Sequence, residues 1–108
     1  MIQSGRLDLV NGAISQNDNA CVSYEDTIEN YFYGHQFIFK NFGVFPTVGW
    51  HIDSFGLSAS MPILLQKMGF HGYVINRIDY QDKINRTKNK DLDFLWNPTD
   101  KTNLLTHI

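Results

Sequence analysis

The sequence predicts an α/β protein in which strands and helices alternate, as in a partial parallel β/α barrel. Short runs of β-branched and aromatic residues recur along the chain, segments with helical periodicity separate them, and Gly or Pro marks their boundaries. A parallel sheet needs helices on both faces or closure into a barrel. Three or four strands complete neither arrangement, so we expect residues 1–108 to be a fragment of one larger domain.

The first half of the chain predicts one strand and one long helix. Arg6–Val10 alternates between polar and apolar residues and stops at the turn dipeptide Asn11-Gly12, which favours a short strand. A polar loop follows. A helix is predicted from Ser23, a typical N-cap residue, because apolar residues then recur at three- and four-residue spacing. Gly43 ends this helix.

The second half continues the alternation of strands and helices. The predicted elements are a strand at Thr47–Ile52, a helix at Ala59–Met68 capped by Ser58, a strand at Tyr73–Ile75, a polar helix or long loop at Asp79–Lys90, and a strand at Leu92–Trp96. The alternation predicts that all of these strands run parallel.

Composition excludes several classes of partner. The net charge is −2, so the chain lacks the basic surface that binds nucleic acid or an anionic membrane. No apolar run approaches the roughly 20 residues that span a bilayer. The single cysteine cannot form an internal disulfide. No His-x-x-x-His or Cys-x-x-Cys spacing occurs, so no complete metal site can be assembled locally.

Polar residues follow successive predicted strands. Asp53 and Arg77 leave neighbouring parallel strands at equivalent positions, so both are expected at one rim of the sheet, with Asn17 and Asp18 facing the same rim. A neighbouring arginine favours the charged form of a carboxylate, which suits a nucleophile or a metal ligand better than a general acid. The alternative is structural: Asp53 caps a helix and Arg77 is its ion-pair partner. The pattern alone leaves both open.

Several motifs resemble one enzyme family. Trp-His-Ile-Asp-Ser-Phe-Gly-Leu-Ser at Trp50–Ser58 resembles the Trp-x-Ile-Asp-Pro-Phe-Gly-His-Ser signature of class II α-mannosidases, glycoside hydrolase family 38. Asn11–Asp18 is similar to the family's Gly-Gly-Trp-x-Met-Asn-Asp-Glu segment. Met61–Phe70 is similar to the Golgi branch and Arg77–Lys83 to the lysosomal branch. The resemblance covers the chain from about Gly5 onward and identifies it with the N-terminal catalytic domain.

The resemblance implies roles for two residues and one cofactor. Asp53 matches the residue that is both nucleophile and zinc ligand, in enzymes that retain anomeric configuration through a covalent mannosyl-enzyme intermediate. Arg77 matches a substrate-binding arginine. Zn²⁺ is then the cofactor, with a His-x-Asp pair expected upstream of Met1 and the acid/base carboxylate and a last zinc histidine beyond Ile108. We therefore expect the isolated fragment to need the rest of the catalytic domain and to be inactive alone.

Departures from the signature, together with similarity to both branches of the family, keep three functional hypotheses open. Ser54 replaces the signature proline, Leu57 the histidine, and Asn19 an acidic residue, while Ala13-Ile14 replaces Gly-Trp. The leading hypothesis is hydrolysis of terminal α-D-mannose in N-linked glycans during lysosomal glycoprotein breakdown. The alternatives are Golgi-type glycan trimming and a catalytically inactive carbohydrate-binding remnant. The expected location is the lysosome, vacuole or Golgi lumen, although the sequence contains no secretory signal or membrane segment.

Overall fold

The computed structural model describes all 108 residues and contains three helices and four strands in a mixed α/β arrangement. The elements are α1 (Tyr24–Phe42), β1 (Val48–His51), α2 (Ser60–Lys67), β2 (Gly72–Ile75), α3 (Tyr80–Asn89), β3 (Asp93–Trp96) and β4 (Leu104–His107). The strands form one sheet in the order β1-β2-β4-β3. Its first three strands are parallel, and β3 pairs antiparallel with β4. None of the helices has the length and apolar character needed to cross a bilayer.

The prediction of a strand at Arg6–Val10 is wrong. That segment has no regular structure, because its apolar side chains find no surface to cover: Leu7 is 49% exposed and Val10 37% exposed. Asn11 and Gly12 then take positive φ angles of 59° and 80°, which turn the chain. One backbone hydrogen bond joins the end of this segment to the sheet: the Asn11 N–H donates to the Val48 carbonyl of β1 at 2.7 Å.

The prediction that all strands run parallel is also wrong, because β4 was not foreseen. Leu104–His107 alternates buried and exposed residues and lies between β2 and β3. Adjacent Leu104 and Leu105 conceal that alternation in the sequence. The connection from β3 to β4, residues 97–103, is too short for a parallel crossover, which needs about a dozen residues or more. The two strands therefore pair antiparallel.

The helix predictions are confirmed with small shifts of boundary. Ser23 Oγ accepts from the Asp26 N–H at 3.1 Å, and Gly43, with φ of 70°, closes α1 by donating to the Phe39 carbonyl at 2.8 Å. Asp79 Oδ1 accepts from two N–H groups at the start of α3, so the polar segment is a helix. Ser58 lies one residue before the N-cap of α2 and accepts from the Ser60 N–H at 3.0 Å.

A small apolar core packs α1 and α2 against one face of the sheet, whereas α3 contributes no buried residue. It consists of Tyr31, Met61, Leu65, Phe70, Tyr73, Ile75, Leu104 and Ile108. Gly49 of β1 lies where a Cβ would meet Leu65 Cδ1 at 2.8 Å, so the close approach of α2 to the sheet explains this weak strand former. The opposite face is less covered, since the cross-strand pair Leu95 and Leu105 is 56% and 53% exposed.

Candidate functional site

Asp53 and Arg77 meet at the carboxyl edge of the sheet. His51 of β1 pairs in parallel register with Ile75 of β2, and each site residue follows its strand's last residue by two positions. Equal offsets from paired strand ends bring the two side chains together. Arg77 Nε and Nη2 both donate to Asp53 Oδ1, at 2.7 Å and 2.5 Å. The predicted shared rim is thus present, and Asp53 Oδ2 has no hydrogen-bond partner in the chain.

The arginine is held from a second direction by an aromatic ring. The guanidinium carbon of Arg77 lies 4.4 Å from the centroid of the Phe55 ring, in a cation–π contact. Side chains of Arg77 and Asp53 are 47% and 65% exposed, so the pair is open to solvent. An exposed pair contributes little to stability.

An open cavity of about 670 Å³ lies beside the carboxylate. It is lined by the polar residues Gln16, Asp18, Asp53, Ser54 and Asn76 and by the apolar residues Ile52 and Phe55. Asp18 therefore reaches the predicted rim. Asn17 does not line this cavity; it is 7% exposed, and neither polar atom of its amide has a partner within the chain.

A buried hydrogen-bond network supports the strand end, and sequence reasoning missed it. His51 has no exposed surface, and its Nδ1 lies 2.8 Å from the Tyr73 hydroxyl while its Nε2 lies 3.2 Å from the Tyr31 hydroxyl. Tyr31 donates its proton to Asn11 Oδ1 at 2.6 Å. Tyr31 oxygen must then accept from His51 Nε2–H, which leaves Nδ1 to accept from Tyr73. Asn11 Oδ1 also accepts from the Trp50 N–H at 3.1 Å.

Burial keeps every group of this network neutral. Burial lowers the pKa of His51 from 6.5 to about 4. Burial also raises the pKa of the Tyr31 hydroxyl, with a further rise from neighbouring Tyr73 that outweighs the opposing hydrogen bond with Asn11. The pKa of Tyr73 is likewise raised by burial, against a hydrogen bond with Asn19. The only sequence signal was the alternation around His51, which did not identify its partners.

The departures from the family signature are accommodated within the fold. Ser54 is 3% exposed, and its hydroxyl donates to the Asn17 carbonyl at 3.4 Å. Leu57 is partly buried and packs against the apolar core. The Asp53–Arg77 ion pair is present with Ser54 and Leu57 at these positions, and neither residue makes a hydrogen bond to Asp53 or Arg77.

The chain by itself does not bring together the ligands of a complete metal site. No group of three or more His, Cys, Asp or Glu side chains lies close enough together to hold a metal ion. At the rim, the free Oδ2 of the exposed Asp53 is an oxygen that can ligate a cation.

Comparison with known proteins decides the family. The sequence profile of the glycosyl hydrolases family 38 N-terminal domain matches residues 1–108. The chain belongs to this family. Family 38 relatives include the lysosomal alpha-mannosidase of Dictyostelium discoideum, which is 44% identical over 102 residues, covering 94% of this chain and 10% of the relative.

Two further relatives agree. A probable alpha-mannosidase of Arabidopsis thaliana is 43% identical over 97 residues, which cover 89% of this chain and 10% of that protein. The lysosomal alpha-mannosidase of Mus musculus is 40% identical over 102 residues, which cover 93% and 10% of the two chains. The family 38 resemblance of the sequence is thereby confirmed. The chain spans about a tenth of the length of these relatives.

Proposed function

We propose that this chain is part of the catalytic domain of a zinc-dependent retaining α-mannosidase. Asp53 is the nucleophile and a zinc ligand in this proposal, and Arg77 binds substrate. Family membership and relatives named alpha-mannosidases support the type of reaction. The single observation that carries the assignment is the one-sided ion pair, in which Oδ1 takes both arginine hydrogen bonds and Oδ2 stays free.

The chemistry follows from that free oxygen. Asp53 Oδ2 forms a bond to the anomeric carbon while the glycosidic C–O bond breaks, and the electron pair of that bond leaves on the departing oxygen. The departing oxygen takes a proton from an acid in another part of the catalytic domain. Water then gives a proton to the group that acted as the acid and displaces Asp53 from the same carbon, so two inversions give net retention. Arg77 limits rotation of the carboxylate throughout, because it holds Oδ1 through two donors.

Asp53 fits zinc as one ligand of a larger set. Its carboxylate is largely exposed at the open rim, as the carboxylate of a zinc ligand in an active site must be. When bound, Zn²⁺ supplies a Lewis acid that attracts the hydroxyl groups of the sugar. We assign the remaining ligands and the acid/base carboxylate to the rest of the domain, together with the strands that would extend this sheet toward a barrel.

The proposed substrate is terminal α-D-mannose in N-linked glycans. Relatives named lysosomal alpha-mannosidases favour glycoprotein breakdown in the lysosome or vacuole. Golgi-type trimming in the Golgi lumen remains the alternative role. Family membership and relatives named alpha-mannosidases favour an enzyme over an inactive carbohydrate-binding remnant.

Replacing the proposed nucleophile tests this assignment. The full-length protein that contains this chain is assayed with an aryl α-mannoside in the presence of zinc, and NMR identifies the first anomer released. Asp53→Asn is expected to lower kcat by roughly a thousandfold or more, and the first product is expected to be the α anomer. Asp93→Asn is the control, since Asp93 is an exposed aspartate bonded to His107. An Asp53→Asn enzyme with wild-type kcat contradicts the proposal.

A further inference from the structure

We propose that Asn85 is a site of N-glycosylation; this inference rests on the proposed function, which assigns the protein to the secretory pathway. Asn85-Arg86-Thr87 has the Asn-x-Ser/Thr spacing that marks an acceptor of N-linked glycans, with a residue other than proline in the middle. Asn97-Pro98-Thr99 has the same spacing but is excluded by its proline. The motif is short, so the position of Asn85 in the fold decides whether the residue can carry a glycan.

Asn85 lies on the exposed side of α3. Arg86 marks the side that faces the protein: its guanidinium carbon lies 4.7 Å from the centroid of the Phe94 ring, and its Nη1 donates to the Asp91 carbonyl at 3.3 Å. One position along an α-helix is a rotation of about 100°, so the Asn85 side chain is turned away from that contact. Asn85 is exposed, and no residue of α3 is buried. A bulky, hydrophilic glycan at Asn85 therefore extends into solvent.

Helix stability gives no reason for Asn85 and Thr87. Asparagine and threonine are weak helix formers, and neither of these side chains is buried. Asn85 Oδ1 accepts a long hydrogen bond of 3.5 Å from Asn89 Nδ2, and Thr87 Oγ1 donates to the Lys83 carbonyl within the helix. Exposed hydrogen bonds add little to stability, because water competes for both partners. The two residues are therefore better explained as a glycan acceptor than as helix-stabilising residues.

An apolar groove beside Asn85 offers a surface for the first sugar of the glycan. The groove has a volume of about 400 Å³ and is lined by Tyr80, Lys83, Ile84, Thr87 and Lys88. Tyr80 is 69% exposed, and Ile84, which directly precedes Asn85, is 51% exposed. N-acetylglucosamine has an apolar ring face and an acetyl methyl group. Packing of these groups in the groove removes apolar area from water, which favours a glycan at this position.

The modification requires a lipid diphosphate-linked oligosaccharide as the donor. Asn85 Nδ2 gives a proton to a base of the transferring enzyme and forms a bond to the anomeric carbon of the first N-acetylglucosamine. The bond from that carbon to the diphosphate oxygen breaks, and its electron pair leaves with the lipid diphosphate. In the folded protein the Thr87 hydroxyl is engaged, because it donates to the Lys83 carbonyl at 2.7 Å. The transfer therefore precedes formation of α3, a helix of 10 residues that is marginally stable before it packs.

Mass spectrometry of the full-length protein tests this inference. The protein is produced in the secretory pathway of a eukaryotic cell. It is then treated, in heavy-oxygen water, with an amidase that removes N-glycans and converts the carrier asparagine to aspartate. The peptide that contains Asn85 is expected to gain heavy oxygen at that residue, and Asn97 is expected to stay unmodified. An unmodified Asn85 in the wild-type protein overturns the inference.

Variants separate the motif from its surroundings. Thr87→Val removes the hydroxyl at nearly constant volume and should abolish the label at Asn85, whereas Thr87→Ser should keep it. Asn89→Gln is the matched control and should leave the label unchanged, because Asn89 is exposed in the same helix but is followed by Lys90-Asp91. Label that persists in Thr87→Val contradicts recognition of the motif.

Hydrolysis of an aryl α-mannoside by the same preparation distinguishes this inference from the proposed function. An active protein with unmodified Asn85 overturns the inference alone. A protein that is glycosylated at Asn85 but hydrolyses no α-mannoside supports the inference and contradicts the proposed function.

Discussion

His51 Nδ1 and the Tyr73 hydroxyl, on neighbouring parallel strands, share a buried hydrogen bond of 2.8 Å two residues before Asp53. The imidazole is neutral and both of its nitrogens are paired, so its ring orientation is fixed. The end of β1 is consequently supported by this network, which also reaches its backbone because Asn11 Oδ1 accepts from the Trp50 N–H.

Removing the Tyr73 hydroxyl should weaken the fold. Tyr73→Phe leaves His51 Nδ1 buried without a donor, which costs about 1–3 kcal/mol of the free energy of unfolding. Urea denaturation of the full-length protein measures this loss. Tyr33→Phe is the control, because Tyr33 is 54% exposed. Equal stability of the two variants would contradict the hydrogen bond.

Stability should fall as the medium becomes acidic, because of His51. Burial lowers the pKa of His51 from 6.5 to about 4, so between these values the unfolded chain binds a proton that the folded chain does not. The free energy of unfolding therefore has its full value, as far as His51 is concerned, above pH 6.5. It decreases as the pH falls toward 4, by at most about 1.4 kcal/mol per pH unit.

Denaturation of the full-length protein at several pH values measures that slope. His51→Asn should flatten the curve in this window. His71→Asn, at an exposed position, should leave the curve as in the wild type. The same slope in all three proteins would show that His51 is not the group responsible.

The isolated 108-residue chain should neither bind zinc tightly nor hydrolyse mannosides. It contains no group of three potential ligands close enough together to hold a metal ion, whereas a catalytic zinc site uses about three protein ligands. Calorimetric titration with Zn²⁺ and an aryl α-mannoside assay measure the two properties. Zinc-dependent hydrolysis by the purified chain would refute this prediction.

Gly49→Ala should destabilise the packing of α2 on the sheet. The added Cβ would lie 2.8 Å from Leu65 Cδ1 and 3.0 Å from Tyr73 Cδ2, which predicts an overpacking cost of about 1–3 kcal/mol. Thermal unfolding of the full-length protein measures the effect. Gly72→Ala is the matched control in the next strand, since its Cβ would meet Val48 at an ordinary 3.4 Å. A smaller effect at Gly49 than at Gly72 would refute the steric argument.

Local signals made α1 and the site pair predictable from the sequence. Ser23 caps the start of α1 and Gly43 caps its end, both through hydrogen bonds to residues a few positions away. Asp53 and Arg77 meet because each follows its strand by the same number of residues, and the two strands are adjacent and parallel. The role of His51 was not predictable. It depends on tyrosines 20 and 22 positions away, whose approach requires the folded sheet.

The sheet order shows the same limit of sequence reasoning. Pairing of β4 with β2 joins residues more than 30 positions apart, and four residues carry too little periodicity to reveal such a partner. The short connection between β3 and β4 determines that these two strands are antiparallel. The sequence did not reveal β4, and for that reason β3 was wrongly predicted to be parallel to the other strands.

The position of β4 in the sheet has a consequence for how the protein is made. β4 is synthesised after β3 but lies between β3 and β2. While residues 104–107 are still inside the ribosome, β2 exposes one whole edge and β3 has no partner at all. The nascent chain therefore presents one unpaired strand and one open strand edge until β4 emerges. During that interval, a chaperone that covers strand edges would protect the chain from aggregation.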